Sequence, residues 1–445
     1  MPVEIFAVGG YSEVGRNMTA IKVDDEIIIC DMGIHLENYI ALTQDEDLVN
    51  LQTRELIEHN AIPNIDLIES WSDNVKAIVP THAHLDHIGA IPFIGGYYDA
   101  PVICTPFTGA VLQALIDDAK IPFKNKIKIL NVNSKIKISD NITIEFVSIT
   151  HSTPQTVIIV IHTPYGKVVY GNDFKFDQYP VIGTKPNIAR LKEIGKEGNV
   201  MCLIMDSLYA KEHRKMPSES VARQMLKDVL LGTNSEGRIV IATTFSSQIA
   251  RLKSLVDYGK RMNRKIVFMG RSLHKYVSAA EKVGLVNFSD DVEIVKYSSK
   301  IKSKLNKIVK EGREKYLVVV TGHQGEPQAA LNRMVEGMFN FQQGDHVIFS
   351  SSVIPTLTNK KNREIIEEKL ESLGVRVFTD IHVSGHAARE DLRDMIELLK
   401  PKNIIPAHAE PDMKEALKNL AIDLGYNSEN VYIIQNGDKI ELDMN

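Results

Sequence analysis

Cysteine is scarce in this sequence. Cys30, Cys104 and Cys202 are the only three in 445 residues, widely spaced and without a C-x-x-C pair. That excludes a disulfide framework, makes the thiols structural, and makes a reducing cytoplasm the expected setting. Long apolar runs are also missing, since none approaches the ~20 residues that cross a bilayer. The start, MPVEIFAVGG, has no basic segment, so no secretory signal and no membrane partner are expected. Positive charge is not in excess: the net charge is −5 and the pI is near 6.3. Bulk electrostatics therefore cannot grip nucleic acid, which leaves a local basic surface or a dedicated phosphate pocket. Solenoid repeats and low-complexity tracts are absent.

What is present is an alternation of short β-branched runs with helical stretches. Strands are expected within 26–33, 75–84, 142–151, 167–173 and 199–207. A second series covers 237–247, 264–272, 314–325, 345–352, 375–386 and 402–408. Between them, segments such as SESVARQMLKDVLL carry apolar residues at three- and four-residue spacing. The class is α/β. Asp31, His82, His84, His151, Asp173, Asp206, His386 and His408 each fall at or just past the end of an apolar run. Sites in α/β sheets assemble at such ends, so one convergent pocket is expected. Residues 36–74 read as a long insertion, either a rim for that pocket or a surface excursion.

The densest signal is THAHLDHIGA, 81–90, with three of the 14 histidines. On an extended segment His82 and His84 point to one side, and a turn at Leu85 brings Asp86 and His87 round. Imidazole with carboxylate suits zinc or a similar divalent ion. With His151, Asp173 and His408 added, the ligands are too many for one tetrahedral zinc and enough for two ions. His35, His59, His162, His213, His274 and His346 lack such context and read as surface or satisfied core residues. The basic stretch 301–316 reads either as a solvated helix face or as an RNA-tracking surface.

His-x-His-x-Asp-His, followed by a lone His and a lone Asp at strand ends, resembles the metallo-β-lactamase fold family, in which the aspartate of ICDMG, Asp31, is structural. The later segments MPSES, TTFSSQ, GRS, TGHQGEP, GDHVIFSS, HVSGHA and LKPKNIIPAHAE resemble the β-CASP nucleases, most closely the ribonuclease J family. The resemblance implies an αββα sandwich with an inserted β-CASP domain. Its first part would be 1–207, the insert 208–374 and the return segment 375–445. It implies two zinc ions, with manganese or magnesium as alternatives in activity. His82, His84 and His151 would hold one ion, Asp86, His87 and His408 the other, and Asp173 would bridge. Such a pair lowers the pKa of water and clamps an in-line displacement at phosphorus, which makes Asp86 part of the catalytic set. His386, partnered by Glu219, would protonate the leaving oxygen. His382, Val383, Ser384, Gly385 and His386 match the substrate-phosphate loop. Ser246 and Ser247 match a second phosphate segment and equally suit a helix cap before QIARLKSLV.

The activity so implied is 5′-to-3′ hydrolysis of single-stranded RNA from a 5′-monophosphate end, in RNA decay or maturation, by a cytoplasmic homodimer. Internal cleavage by a β-CASP endonuclease is the nearest alternative. A lactamase- or thioesterase-like hydrolase is disfavoured by HVSGHA, and a non-catalytic RNA-binding scaffold by the complete ligand set. Two departures stand out. The chain stops soon after IELDMN, as archaeal forms do, and His323 occupies a position where relatives commonly have serine.

Overall fold

The structure, a computed structural model, describes residues 3–43, 52–354 and 356–442. It divides into two compact units. The first comprises Met1–Gln178, Thr184–Met216 and Gly385–Asn445; the second comprises Tyr179–Gly183 and Pro217–Ser384.

Two sheets face each other in the first unit. One has seven strands in the order Lys439–Leu442, Val3–Gly9, Met18–Val23, Glu26–Cys30, Val75–Val79, Val102–Cys104 and Ile127–Ile129. The other has six, Asn403–Ala407, Val200–Asp206, Gly166–Gly171, Val157–Thr163, Thr143–Ser148 and Lys135–Lys137. Alternating apolar positions of both sheets, among them Ile28, Val79, Phe146 and Val168, form the core between them. Cys30 and Cys202 are part of it, and all three cysteines are buried and free. Helices Ile188–Glu197, Arg389–Leu399 and Pro411–Asp423 cover the outer face of the second sheet. Ile65–Asn74 and Pro106–Ala119 contact the first sheet. The result is the metallo-β-lactamase α/β sandwich.

The return segment completes both sheets. Lys439–Leu442 pairs antiparallel with Val3–Gly9, and Asn403–Ala407 lies parallel to Val200–Asp206. This register carries His408 to the same sheet edge as Asp206.

The second unit is the inserted β-CASP domain. Its six-stranded parallel sheet runs Val292–Val295, Lys265–Met269, Tyr316–Val320, Val240–Thr243, His346–Phe349 and Arg376–Phe378. The last strand pairs with His346–Phe349, so the expected insert boundary at 374 moves to Ser384. The basic stretch 301–316 lies mostly in helix Ser298–Glu311, which buries Ile301, Leu305 and Ile308 against the sheet. Lys304 pairs with Glu293 and Lys307 with Glu311. The solvated-face reading fits these pairs.

Part of the 36–74 insertion, residues 44–51, lies outside the described residues. The remainder forms helices Leu36–Thr43 and Thr53–Glu58 and the 3-10 segment Ile65–Asn74. Of the histidines read as bland, His162 is satisfied by Glu145 at 2.7 Å. His346 is not: it is buried, with Nε2 unpartnered among the described residues.

Candidate metal centre

Strand Val75–Val79 delivers the histidine motif to the sheet edge. His84 caps the short helix Leu85–Ile88, whose turn brings Asp86 and His87 back over His82. Gly33 makes that turn fit: a Cβ there would lie 1.5 Å from the Asp86 carbonyl oxygen. Asp31 adopts a left-handed backbone, φ 59°, and points its carboxylate at the same turn. It accepts the Thr81 amide at 2.7 Å and contacts His87 Nδ1 at 2.8 Å. Fixing one ring nitrogen in this way leaves the other, Nε2, for a ligand.

Three groups of ligand atoms result, His82/His84/His151/Asp173, Asp86/His87/Asp173/His408 and a smaller one, Asp173/Asp206/His386. The first two groups contain the seven ligands that the resemblance implies, and Asp173 is common to all three. In the first group, His84 Nδ1 lies 3.0 Å from His82 Nε2 and 3.1 Å from His151 Nε2. His151 Nδ1 donates to the Gly385 carbonyl at 2.8 Å, so its Nε2 presents a lone pair in the neutral ring. Burial holds these rings neutral. It pushes His82 and His151 well below the usual histidine value and His84 down to about 4.

Asp173 is buried, and its Oδ1 accepts no hydrogen bond among the described residues. Burial opposes its ionisation, but His408, His87 and His386 hold its pKa well below the carboxylate range. His87 goes the other way: burial is outweighed by Asp173, Asp31 and Asp86, and its pKa rises. Converging imidazole lone pairs with a buried, under-satisfied carboxylate form a donor set that fits divalent cations.

His386 stands beside this set. Its Nε2 is 3.8 Å from Asp173 Oδ2, and its ring stacks on His408 at 5.4 Å. Asp206 Oδ2 is 2.8 Å from its Nδ1. Against the cost of burial, Asp173 and Asp206 raise the His386 pKa to about 9. Glu219, in the second unit, grips the fully buried Arg251 with both oxygens, at 2.7 and 2.9 Å. Arg251 in turn holds the Ser350 and Ile381 carbonyls. Glu219 thus braces the chain one residue before His382.

The expected phosphate segments are partly local. Gly385 belongs to the first unit and has no room for a side chain, since a Cβ would lie 2.3 Å from Ser152 Oγ. His382, Val383 and Ser384 belong to the second unit, as do Ser246 and Ser247. Ser246 Oγ lies 2.9 Å from Ser272 Oγ. Neither serine is the cap of helix Ile249–Arg261; Gln248 takes that position.

One pairing and one contributor escape the sequence reading. Asp206 sits at a strand end, but its partner depends on a segment 180 residues away. Asn17 contacts the Asp86 carbonyl, His87 Nε2 at 3.1 Å and His408 Nδ1 at 3.0 Å. A lone asparagine after a glycine-rich turn gives no signal of this.

Comparison with known proteins finds the same two domain types. Residues 60–227 match the family described as beta-lactamase superfamily domain. Residues 236–368 match "Ribonuclease J, beta-CASP domain" and 374–433 match "Zn-dependent metallo-hydrolase RNA specificity domain". The chain is 45% identical to ribonuclease J of Methanocaldococcus jannaschii, covering 98% of each chain. It is 41% identical to that of Pyrococcus abyssi, over 99% of this chain and 97% of the relative. A solved structure of a protein of unknown function from Enterococcus faecalis shares the fold, with a TM-score of 0.65, 17% identity and coverage of 99% and 100%. The chain belongs to the ribonuclease J family.

Proposed function

We propose that this chain is a two-zinc 5′-to-3′ exoribonuclease that acts on single-stranded RNA and prefers a 5′-monophosphate end. Family membership makes it a metal-dependent ribonuclease. The observation that carries the finer reading is the two ligand groups sharing Asp173, with a protonatable His386 beside them.

His82, His84 and His151 would hold one ion, and Asp86, His87 and His408 the other, with Asp173 between. Nitrogen and oxygen donors favour zinc, with manganese or magnesium as substitutes. The ions would supply charge neutralisation at the scissile phosphate and a water of lowered pKa. The chain's own groups do the rest. Asp31 and Asn17 fix the orientation of His87 and His408. Asp206 holds the Nδ1 proton of His386, which leaves the Nε2 proton for the departing 3′-oxygen. Ser384 directly precedes Gly385, whose carbonyl rests on His151. A hydroxyl and amide at this position suit a terminal phosphate, and Ser246 and Ser247 offer further hydroxyls. The proposed assembly is a cytoplasmic homodimer; no helix among the described residues is long and apolar enough to cross a membrane.

The test is one single-stranded RNA labelled at its 5′ end in one sample and at its 3′ end in another, with zinc or manganese present. Immediate release of a labelled mononucleotide from the 5′ end, with the 3′ label shortening gradually, is expected. Discrete internal fragments in both samples would replace this reading with endonucleolytic cleavage.

A further inference from the structure

A groove in the first unit shares no residue with the ligand cluster. Helices Ile188–Glu197 and Arg389–Leu399 touch at Gly195, where a Cβ would lie 1.9 Å from the Leu398 carbonyl oxygen. That close approach brings their C-terminal ends together. With the segment Phe176–Gln178 and Lys215 they enclose a cavity of about 490 Å³, inside the range of small-ligand sites.

Four lysines line it. Lys215 is paired with Asp394 at 2.5 Å. Lys192, Lys196 and Lys400, all exposed, form no ion pair among the described residues, and neither does Glu397, a carboxylate in the same lining. Lys192 and Lys196 are four residues apart on one helix face, where like charges repel. The helix dipole accounts for cations at the two C-termini, Lys196 and Lys400, but Lys192 lies a turn earlier. Across the cavity, Phe176, Ile188 and Leu398 supply an apolar wall. Gln178 also lines it, and its Nε2 is buried with no acceptor among the described residues. An unspent amide donor, three lysines against the one carboxylate of Glu397, and an apolar wall carrying one aromatic ring are complementary to a small anionic molecule. It has a flat ring with an acceptor edge and carries a phosphate.

We propose that this groove binds a nucleotide phosphate ester, its base against Phe176 and Gln178 and its phosphate between Lys192, Lys196 and Lys400. The source is either a free nucleoside 5′-monophosphate or a nucleotide within an RNA strand. The site does not depend on the exonuclease reading, because binding is read without turnover.

The experiment is equilibrium dialysis of the metal-loaded protein with labelled adenosine 5′-monophosphate, adenosine and decaadenylate. Wild type is compared with Lys192→Glu/Lys196→Glu, and separately with Phe176→Ala. Decaadenylate is followed in the Asp86→Ala background so that it stays intact. In the lysine variant, one class of adenosine 5′-monophosphate sites is expected to weaken at least tenfold while RNA hydrolysis continues. Weakening of decaadenylate alone would assign the groove to the RNA strand. Unchanged affinity and stoichiometry for both probes in both variants would overturn the proposal. So would a wild type whose every adenosine 5′-monophosphate site is lost in Asp86→Ala.

Discussion

At the scale of single residues, the candidate centre is a problem of what holds each imidazole. His87 is held by Asp31, His408 by Asn17, His151 by the Gly385 carbonyl and His386 by Asp206. Removing a direct ligand and removing a holder should therefore differ. His84→Ala or Asp86→Ala is expected to abolish RNA hydrolysis with the fold retained, as read by circular dichroism and a turnover assay. Asp206→Asn keeps all seven proposed metal ligands. It should retain the metal content of wild type while kcat falls about 10–100-fold, the usual scale for a supporting partner. A kcat equal to wild type would remove Asp206 from the proton path.

At the scale of elements, close approach and buried charge decide what is tolerated. Gly33→Ala would force the Asp86 turn off its seat, costing at least the ~1–3 kcal/mol typical of overpacking. A lower Tm together with weaker metal retention is expected. In the second sheet, the buried carboxylate of Glu145 meets His162, Arg190 and Lys135, and these partners overcome burial to hold its pKa at about 2. Its folded pKa lies below the unfolded one. The contribution, on the order of 2 kcal/mol, is therefore present above about pH 4.5 and lost as pH falls towards 2. Urea titrations of Glu145→Gln should show the deficit at pH 7 and its narrowing near pH 3. A constant deficit would mean that packing, not charge, is lost.

Legibility in the sequence follows the same line. The histidine motif could be read because its ligands are set by local alternation at a strand end. The contacts of Asp206 with His386 and of Glu219 with Arg251 could not be read, because they arrive through the register of distant segments. Arg251 reads as one more cation on the amphipathic segment QIARLKSLV, and nothing local marks it as fully buried. The short strand Arg376–Phe378 ran into HVSGHA without a turn signal, which displaced the insert boundary.

At the scale of the whole molecule, the insert interrupts a sandwich that only the return segment completes. The sheets need Asn403–Ala407 and Lys439–Leu442, and the centre needs His408. Within the insert, the Glu219–Arg251 pair is the buried brace. Glu219→Leu leaves an uncompensated guanidinium and should cost about 3–5 kcal/mol, seen as earlier unfolding of that unit in calorimetry. Glu219→Leu/Arg251→Met should recover much of it.

The most direct test of the centre is metal content. Purified protein, dialysed against trace zinc and analysed for bound metal beside its RNA-hydrolysing rate, should hold two equivalents. It should lose activity when chelated and regain it when zinc or manganese is restored. Full hydrolysis by protein holding less than a tenth of an equivalent of any divalent metal would contradict the assignment of His82, His84, Asp86, His87, His151, Asp173 and His408.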